Sequence, residues 1–157
     1  MLFSVLLSLY HKESPLFLRQ SLTSIFTQTL LPIEVVLVED GPLTDELYAV
    51  IKEFTSPPPE LQVISLPTNR GLGKALNEGL KHCSYDLVAR MDTDDIAKPD
   101  RFEKQLAIFL EHPEIDVVGA WIDEFEGEVS NVLSMRKVPE QHENILRFAK
   151  GRCPVNH

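Results

Sequence analysis

The sequence predicts an α/β fold: a three-layer α/β/α sandwich with a mostly parallel sheet. Short apolar runs alternate strictly with segments whose apolar residues recur at helical spacing, and polar residues rarely interrupt the apolar runs. Uninterrupted apolar strands are typical of parallel sheets, because helices cover both of their faces. In such sheets ligands bind beyond the carboxyl ends of the strands, so we expect the functional residues there.

The apolar runs predict five strands, at residues 3–9, 33–38, 61–66, 87–91 and 117–121. Helical spacing predicts one helix that begins at Ser14-Pro15 and others over residues 44–54, 72–82 and 99–111. We expect Leu72 and Leu80 to face inward from the third helix, and Trp121 to lie in the core. Beyond residue 125 the pattern is weaker, with a strand near 132–136 and a helix around 141–150.

The composition limits the classes of partner. The 157 residues carry a formal net charge of -9, which argues against nucleic acid as the main partner, because its backbone calls for clustered Lys and Arg. A nucleotide is still compatible, since a divalent cation can join acidic side chains to phosphates. Cys83 and Cys153 lack the spacing of metal ligands, and we expect reduced thiols.

The apolar run at residues 2–9 is too short for a membrane span, and no charged segment precedes it as in a signal peptide. We therefore expect a cytoplasmic protein. Two further associations are left open for a longer form of the protein: peripheral binding at the inner face of the membrane and assembly into a homo-oligomer.

Three aspartates follow the fourth predicted strand. Asp92 and Asp94 are two residues apart, so they would point to the same side of an extended backbone, and Asp95 comes next. Carboxylates brought together in this way repel each other unless a cation joins them, and Mg²⁺ or Mn²⁺ prefers oxygen ligands. The pattern favours an ion shared between protein and diphosphate. The alternative is a solvated turn before the helix at Pro99, with Asp95 helping to begin it.

Two further polar residues are expected at the same edge of the sheet. Asp40 follows the second strand and could accept a hydrogen bond from a base or a ribose, although an Asp-Gly turn needs no ligand. Arg70 follows the third strand and could contact a base or a phosphate, or lie as an ordinary surface arginine. The chain has neither the glycine-rich dinucleotide fingerprint nor a Walker-type phosphate loop.

The chain resembles the amino-terminal part of a family 2 inverting glycosyltransferase with the GT-A fold. Six segments agree with that family in order and spacing, at residues 3–10, 21–29, 34–41, 69–79, 91–95 and 99–105. The resemblance covers about residues 3–125. A single Asp-x-Asp sequence would be weak evidence, but six segments in register are specific.

The resemblance implies roles for residues of the nucleotide site. Ser8 and Tyr10 would line the base and ribose, Asp40 would bind the base, which is usually uracil in this family, and Arg70 would lie near the nucleotide. Asp92 would contact the ribose or the metal.

The resemblance also implies a metal and a reaction. Asp94 would bind Mn²⁺ or Mg²⁺ on the diphosphate, and the ion would stabilise the charge on the departing nucleoside diphosphate. The implied enzyme transfers a sugar, with inversion, from a nucleotide-sugar donor that we expect to be a UDP-sugar. The implied acceptor is a saccharide or a lipid-linked molecule in surface polysaccharide or lipopolysaccharide biosynthesis.

One expected feature of the family is missing. Its members use a later Asp or Glu, often in a Glu-Asp pair, as the general base, and the last thirty residues contain no such pair. We therefore expect residues 1–125 to form the nucleotide-sugar-binding part, residues 126–157 to begin the acceptor side, and the general base to lie beyond His157. Glu140, Glu143 and His157 are the candidates within the chain.

Two other readings of the residues stay open at this stage. A nucleotidyltransferase that makes activated sugars would need a glycine-rich basic loop after the first strand, where residues 10–14 read Tyr-His-Lys-Glu-Ser. A non-catalytic nucleotide-binding module would use the aspartates as a calcium or structural site.

Overall fold

The computed structural model describes residues 1–56 and 59–156, and the chain forms two compact units, Met1–Leu106 and the residues from Ala107 onward. The division that we expected after residue 125 is a functional one, between the nucleotide-sugar-binding part and the acceptor side. The two compact units are defined by packing and do not test it, so it stays a prediction.

The first unit contains a four-stranded parallel sheet. Its strands are β1 (Phe3–Leu9), β2 (Glu34–Glu39), β3 (Glu60–Ser65) and β4 (Leu87–Arg90), in the order β3-β2-β1-β4. The helices that alternate with them are α1 (Pro15–Phe26), α2 (Asp45–Glu53), α3 (Leu72–Leu80) and α4 (Arg101–Glu111). The α/β fold with a mostly parallel sheet is confirmed.

The two central strands form the core, because helices cover both faces of the sheet. Val5, Leu7 and Leu9 of β1 have no exposed surface, and the same is true of the run from Val35 to Val38 in β2. Local sequence sets where α1 begins: the Ser14 hydroxyl accepts the N–H of Phe17, and a proline occupies the first turn.

Helix α3 packs against the sheet through small residues. Its buried positions are Ala75 and Gly79, whereas Leu72 and Leu80 are 48% and 49% exposed, so our expectation that both leucines face inward is wrong. A Cβ atom added at Gly79 would lie 2.4 Å from Leu6 Cδ1. The helix therefore approaches the sheet too closely for larger side chains on that face.

The second unit corrects the predicted fifth strand. Residues 117–121 form no strand; β5 is Ile122–Phe125, and it pairs antiparallel with β6 (Val132–Arg136) in a hairpin that Gly127, with φ of +72°, helps to turn. Cross-strand polar contacts accompany the pairing: the Glu124 carboxylate accepts hydrogen bonds from Ser134 and Arg136. Helix α5 follows at His142–Phe148.

Trp121 was expected in the core, and this too is wrong. Its side chain is 42% exposed, the ring lies under the Lys137 ammonium group at 4.5 Å, and the indole N–H donates to the Val138 carbonyl. The polar end of the ring and its attraction for a cation place it at the surface of the second unit.

Buried polar residues on α1 and just after it bind the segment between β4 and α4. Ser21 and Ser24 of α1, with Gln28 two residues beyond its end, form what we term the α1 polar face. The Ser24 hydroxyl accepts the N–H of Ala97 at 3.0 Å. The Gln28 amide nitrogen donates to the Lys98 carbonyl at 2.8 Å.

The same amide also reaches the helix beyond. The Gln28 oxygen accepts the N–H of Phe102 at 3.3 Å, in the first turn of α4. Ser21 donates to the carbonyl of Asp92 at 3.1 Å. The α1 polar face thus binds the backbone of this segment at four points, the carbonyls of Asp92 and Lys98 and the N–H groups of Ala97 and Phe102.

We expect Gly79→Ala to destabilise the protein, although alanine is the better helix former. The added methyl would overlap Leu6 and Val38, and overpacking of a core costs about 1–3 kcal/mol. Gly73→Ala is the matched control on the same helix, because nothing lies within 4 Å of its Cβ position, and it should be neutral or stabilising by up to about 1 kcal/mol. Urea unfolding of both variants measures the difference; equal midpoints would contradict the close contact.

We expect Gln28→Leu to lower the free energy of unfolding by about 1–3 kcal/mol, because it removes the acceptor of the Phe102 N–H and one of the two donors to the Lys98 carbonyl. Gln20→Leu on the exposed side of α1 is the control and should change it by less than about 0.5 kcal/mol. Denaturant titration of both variants is the measurement. A Gln28 variant as stable as the Gln20 variant would show that α1 does not fix the segment.

Candidate functional site

The predicted residues gather at the carboxyl edge of the sheet. Ser8 is half-buried near the end of β1, where it pairs with Val38 of β2, and Tyr10 lies exposed just beyond β1 with its ring edge-on to His11. Asp40 follows β2 directly, and its backbone N–H donates to Leu9 at 2.7 Å. The parallel topology thus places the ends of β1 and β2 side by side.

Asp40 has the most complete set of contacts in this region. The residue is 2% exposed, and its two carboxylate oxygens accept the backbone N–H groups of Arg70 at 2.6 Å and Gly71 at 2.9 Å. These bonds join the end of β2 to the 69–71 loop, which precedes α3. We expected Asp40 either to contact a base or to form a plain Asp-Gly turn, and neither expectation includes these hydrogen bonds to the backbone of Arg70 and Gly71. The contact with a base stays a prediction.

Gly41 allows the 69–71 loop to come this close. It has φ of +87°, and a Cβ atom there would lie 2.7 Å from the backbone nitrogen of Asn69. Both the conformation and the space therefore require glycine. Arg70 has an exposed side chain above this contact, so its backbone is fixed while its guanidinium group can reach a ligand.

The aspartates after β4 lie in what we term the acidic turn, Asp92–Asp95. Because β4 ends at Arg90 and Thr93 and Asp94 form a turn, the extended geometry that we expected for Asp92 and Asp94 is wrong. Bonds to neighbouring elements set its path instead. The Asp92 carbonyl accepts the Ser21 hydroxyl and the buried Thr93 donates its hydroxyl to Glu13 at 3.2 Å.

The acidic turn concentrates negative charge. Asp94 and Asp95 are exposed residues, and Asp92 is half-buried. Partial desolvation raises the pKa of the Asp95 carboxyl, and the charges of Asp92 and Asp94 raise it further. Asp92 and Asp94 are therefore each close enough to Asp95 to act on its charge, and a bound cation relieves repulsion of this kind.

Two arginines balance part of this charge, and sequence reasoning missed both. Arg90 donates from Nη2 to Asp92 Oδ1 at 2.6 Å, while its own Nε is buried without a hydrogen-bond partner. Arg101 donates to the Arg90 carbonyl at 3.0 Å, and burial lowers the pKa of its guanidinium group. The spacing of Arg90 and Asp92, two residues apart at the strand end, was the available signal.

The donor set suits a cation shared with a ligand. In residues 1–56 and 59–156, no three His, Cys, Asp or Glu side chains converge as a metal-binding group. Mg²⁺ and related ions are commonly bound by one or two carboxylates together with substrate phosphates. The oxygen donors and crowded charge of the acidic turn fit that second arrangement.

The candidate bases belong to the second unit or lie beyond the described residues. Glu140 is exposed ahead of α5, and Glu143 lies in the first turn of that helix. His157 lies outside the described residues. The position of the general base stays a prediction.

Over the described ranges, every helix is too short or too polar to cross a bilayer.

Comparison with known proteins identifies relatives along the whole chain. It is 52% identical over its full length to an uncharacterized glycosyltransferase of Haemophilus influenzae, of which it covers 58%. It is 46% identical over 99% of its length to the amylovoran biosynthesis glycosyltransferase AmsE of Erwinia amylovora, again covering 58%. An Escherichia coli UDP-Gal:alpha-D-GlcNAc-diphosphoundecaprenol beta-1,3-galactosyltransferase is 40% identical over 99% of the chain, which covers 56% of it. The chain thus spans a little over half the length of these relatives.

Two solved structures and one protein family also match this chain. S. aureus TarS 1–349 in complex with UDP-GlcNAc matches 89% of this chain and 37% of its own, with a TM-score of 0.64 and 27% identity. The mannosyltransferase PcManGT from Pyrobaculum calidifontis, solved with GDP-Man and Mn²⁺, matches 74% of this chain and 33% of its own, with a TM-score of 0.58 and 26% identity. Residues 4–157 match the description Glycosyl transferase family 2. The chain therefore belongs to glycosyl transferase family 2 and has the GT-A fold.

Proposed function

We propose that this chain binds a UDP-sugar at the carboxyl edge of its parallel sheet, and that the protein transfers the sugar, with inversion, to a saccharide or lipid-linked acceptor of a surface polysaccharide. The acidic turn carries the proposal, because its carboxylates follow β4 of the parallel sheet at the edge where such sheets bind ligands. The names of two relatives support it, one with a UDP-Gal donor and diphosphoundecaprenol acceptor, the other in amylovoran biosynthesis.

The nucleoside end of the site would be formed by the ends of β1 to β3. Ser8 and Tyr10 come from β1 and its following loop, and Tyr10 is exposed enough to contact a ring or a ribose. Asp40 and Arg70 lie together through the bond between the carboxylate and the 69–71 loop. Arg70 offers five N–H donors to oxygen atoms of a base or phosphate.

The diphosphate end would be formed by the acidic turn. Asp92, Asp94 and Asp95 lie near two guanidinium groups, those of Arg90 and Arg101, which balance part of their negative charge. A divalent cation, Mn²⁺ or Mg²⁺, bound by Asp94 and Asp92 would add the positive charge that attracts an anionic diphosphate. PcManGT was solved with Mn²⁺.

The residues of the chain would orient the donor rather than react with it. When bound, the cation supplies Lewis-acid stabilisation of charge on the leaving diphosphate. Arg90 fixes one oxygen of Asp92 and leaves the other for a ligand. Ser21 donates to the backbone of the same turn, and Glu13 accepts the Thr93 hydroxyl, so that the carboxylates are positioned before the donor arrives.

The proposal also includes the cellular location and the oligomeric state of the protein, and both are predictions. A peripheral position at the inner face of the membrane would suit a lipid-linked acceptor, as in the name of the Escherichia coli relative. Measuring the mass of the protein in solution would show whether it self-associates.

We expect Asp94→Ala to weaken UDP binding in the presence of Mn²⁺ by at least about tenfold, since a lost contact with a charged group costs about 1.5–3 kcal/mol. Binding without the metal should change little, and the fold should be intact because Asp94 is exposed. Calorimetry of UDP binding with and without Mn²⁺ is the measurement.

Asp86→Ala is the matched control. Asp86 is an exposed aspartate that precedes β4, at the opposite end of the same strand. Its substitution should leave UDP affinity unchanged in both conditions. If the Asp94 variant binds UDP with Mn²⁺ as tightly as the Asp86 variant does, Asp94 is not a metal ligand.

A further inference from the structure

We infer that Thr93, the residue between Asp92 and Asp94, is a positioning residue for these two carboxylates, and that it acts through the hydrogen bond between its hydroxyl and Glu13. The inference rests on the proposed function, because it takes Asp92 and Asp94 as the ligands of the cation. We did not expect either Thr93 or Glu13 in the site from the sequence alone.

The burial of the acidic turn is the first observation. Thr93 is 4% exposed, whereas Asp94 is exposed and Asp92 is half-buried. A buried hydroxyl is costly unless it is hydrogen-bonded, so the position of the Thr93 side chain depends on its partner. The turn is therefore anchored in the protein at its middle residue, and the two aspartates stand on either side of that anchor.

The acceptor of the Thr93 hydroxyl is the second observation. Glu13 Oε2 accepts this hydroxyl at 3.2 Å, and Glu13 Oε1 accepts the backbone N–H of Ser14 at 2.8 Å. The backbone N–H of Glu13 donates to the Tyr10 carbonyl at 3.1 Å, which closes the turn after β1, and Ser14 is the N-cap of α1. Glu13 is thus held between a closed turn and the start of a helix, and it offers Thr93 an acceptor whose position is already set.

The backbone of the acidic turn is the third observation. The Asp95 N–H reaches the Asp92 carbonyl only at 3.4 Å, which is long for a hydrogen bond, and the Ser21 hydroxyl shares the same carbonyl at 3.1 Å. The bond from Thr93 to Glu13 therefore restrains the turn where its own backbone bond is weak.

The consequence concerns the spacing of the two proposed metal ligands. Mg²⁺ demands near-ideal octahedral geometry, and ligands that are positioned before binding lose less freedom when the ion arrives. Arg90 holds one oxygen of Asp92, whereas the exposed Asp94 depends on the backbone that Thr93 anchors. Loss of the Thr93 hydroxyl would loosen Asp94 relative to Asp92, so we expect the effect in binding that needs the cation.

The test is calorimetry of three binding reactions: UDP with a fixed concentration of Mn²⁺, UDP without metal, and uridine. We expect Thr93→Val, which removes the hydroxyl but keeps the branched side chain, to weaken binding of UDP with Mn²⁺ by about threefold to tenfold. UDP without metal and uridine should bind nearly as they do to the wild type, because neither needs the cation. Equal weakening of all three reactions would show a general structural role, and unchanged binding of all three would show no role; either result would overturn the inference.

Two further variants test whether the hydroxyl acts through Glu13. Thr93→Ser restores the hydroxyl and should recover most of the lost affinity, and a serine variant as weak as the valine variant would contradict the inference. Glu13→Ala should weaken binding of UDP with Mn²⁺ to a similar degree as Thr93→Val. The double variant should bind no more weakly than the weaker single variant, because both changes remove the same bond. Losses that multiply would show that the two residues act separately, and would overturn the inference.

Thr29→Val is the matched control. Thr29 also donates its hydroxyl to a glutamate, Glu103 of α4, at 2.7 Å, but it lies beyond the end of α1 and outside the acidic turn. This variant should bind UDP as the wild type does in every condition. If Mn²⁺ does not raise the UDP affinity of the wild type, the proposed function fails and the inference fails with it. If Mn²⁺ raises the affinity of the wild type and of Thr93→Val equally, only the inference is overturned.

Discussion

Hydrogen bonds from buried polar side chains to loop backbone organise the carboxyl edge of this sheet. A parallel sheet pairs its strands but provides no ladder for the connections that follow them, and each buried N–H or carbonyl there needs another partner. Asp40 supplies two acceptors to the 69–71 loop, and the α1 polar face binds the segment from Asp92 to Phe102. The proposed donor site lies where these two sets of bonds fix the chain.

The two halves of that site have different electrostatic characters. At the nucleoside end a buried carboxylate is satisfied by backbone N–H groups, so its charge stabilises structure. In the acidic turn the carboxylates are partly exposed, burial and the charges of Asp92 and Asp94 raise the pKa of Asp95, and Arg90 and Arg101 offset part of the negative charge. The closely spaced aspartates after the fourth strand indicated function in the sequence, and in the folded protein their charge is only partly balanced.

Periodicity was sufficient to predict the fold of the first unit, because buried strands and amphipathic helices repeat at different spacings. It failed where packing depended on size: Leu72 and Leu80 fit the helical pattern, yet α3 approaches the sheet through Ala75 and Gly79. It also failed at residues 117–121, where apolar content alone suggested a strand that the polar pairing around Glu124 places later.

The positions of the site residues could be predicted, but their partners could not. Topology predicts that Asp40 and Arg70 share an edge of the sheet. Their bond joins residues thirty apart through a backbone N–H that no sequence pattern marks. Arg90 was closer to prediction, because it stands two residues before Asp92.

The bonds at this edge bind main-chain atoms almost throughout: the nitrogens of Arg70, Gly71, Ala97 and Phe102, and the carbonyls of Asp92 and Lys98. Main-chain atoms are the same whatever side chain a residue carries. The exposed positions of these loops are thereby released from the task of maintaining loop shape, and Arg70 and Asp94 are two of them. Substitutions there can leave the scaffold intact, so under the proposed function this edge is a natural starting point for evolving or engineering new donor specificity.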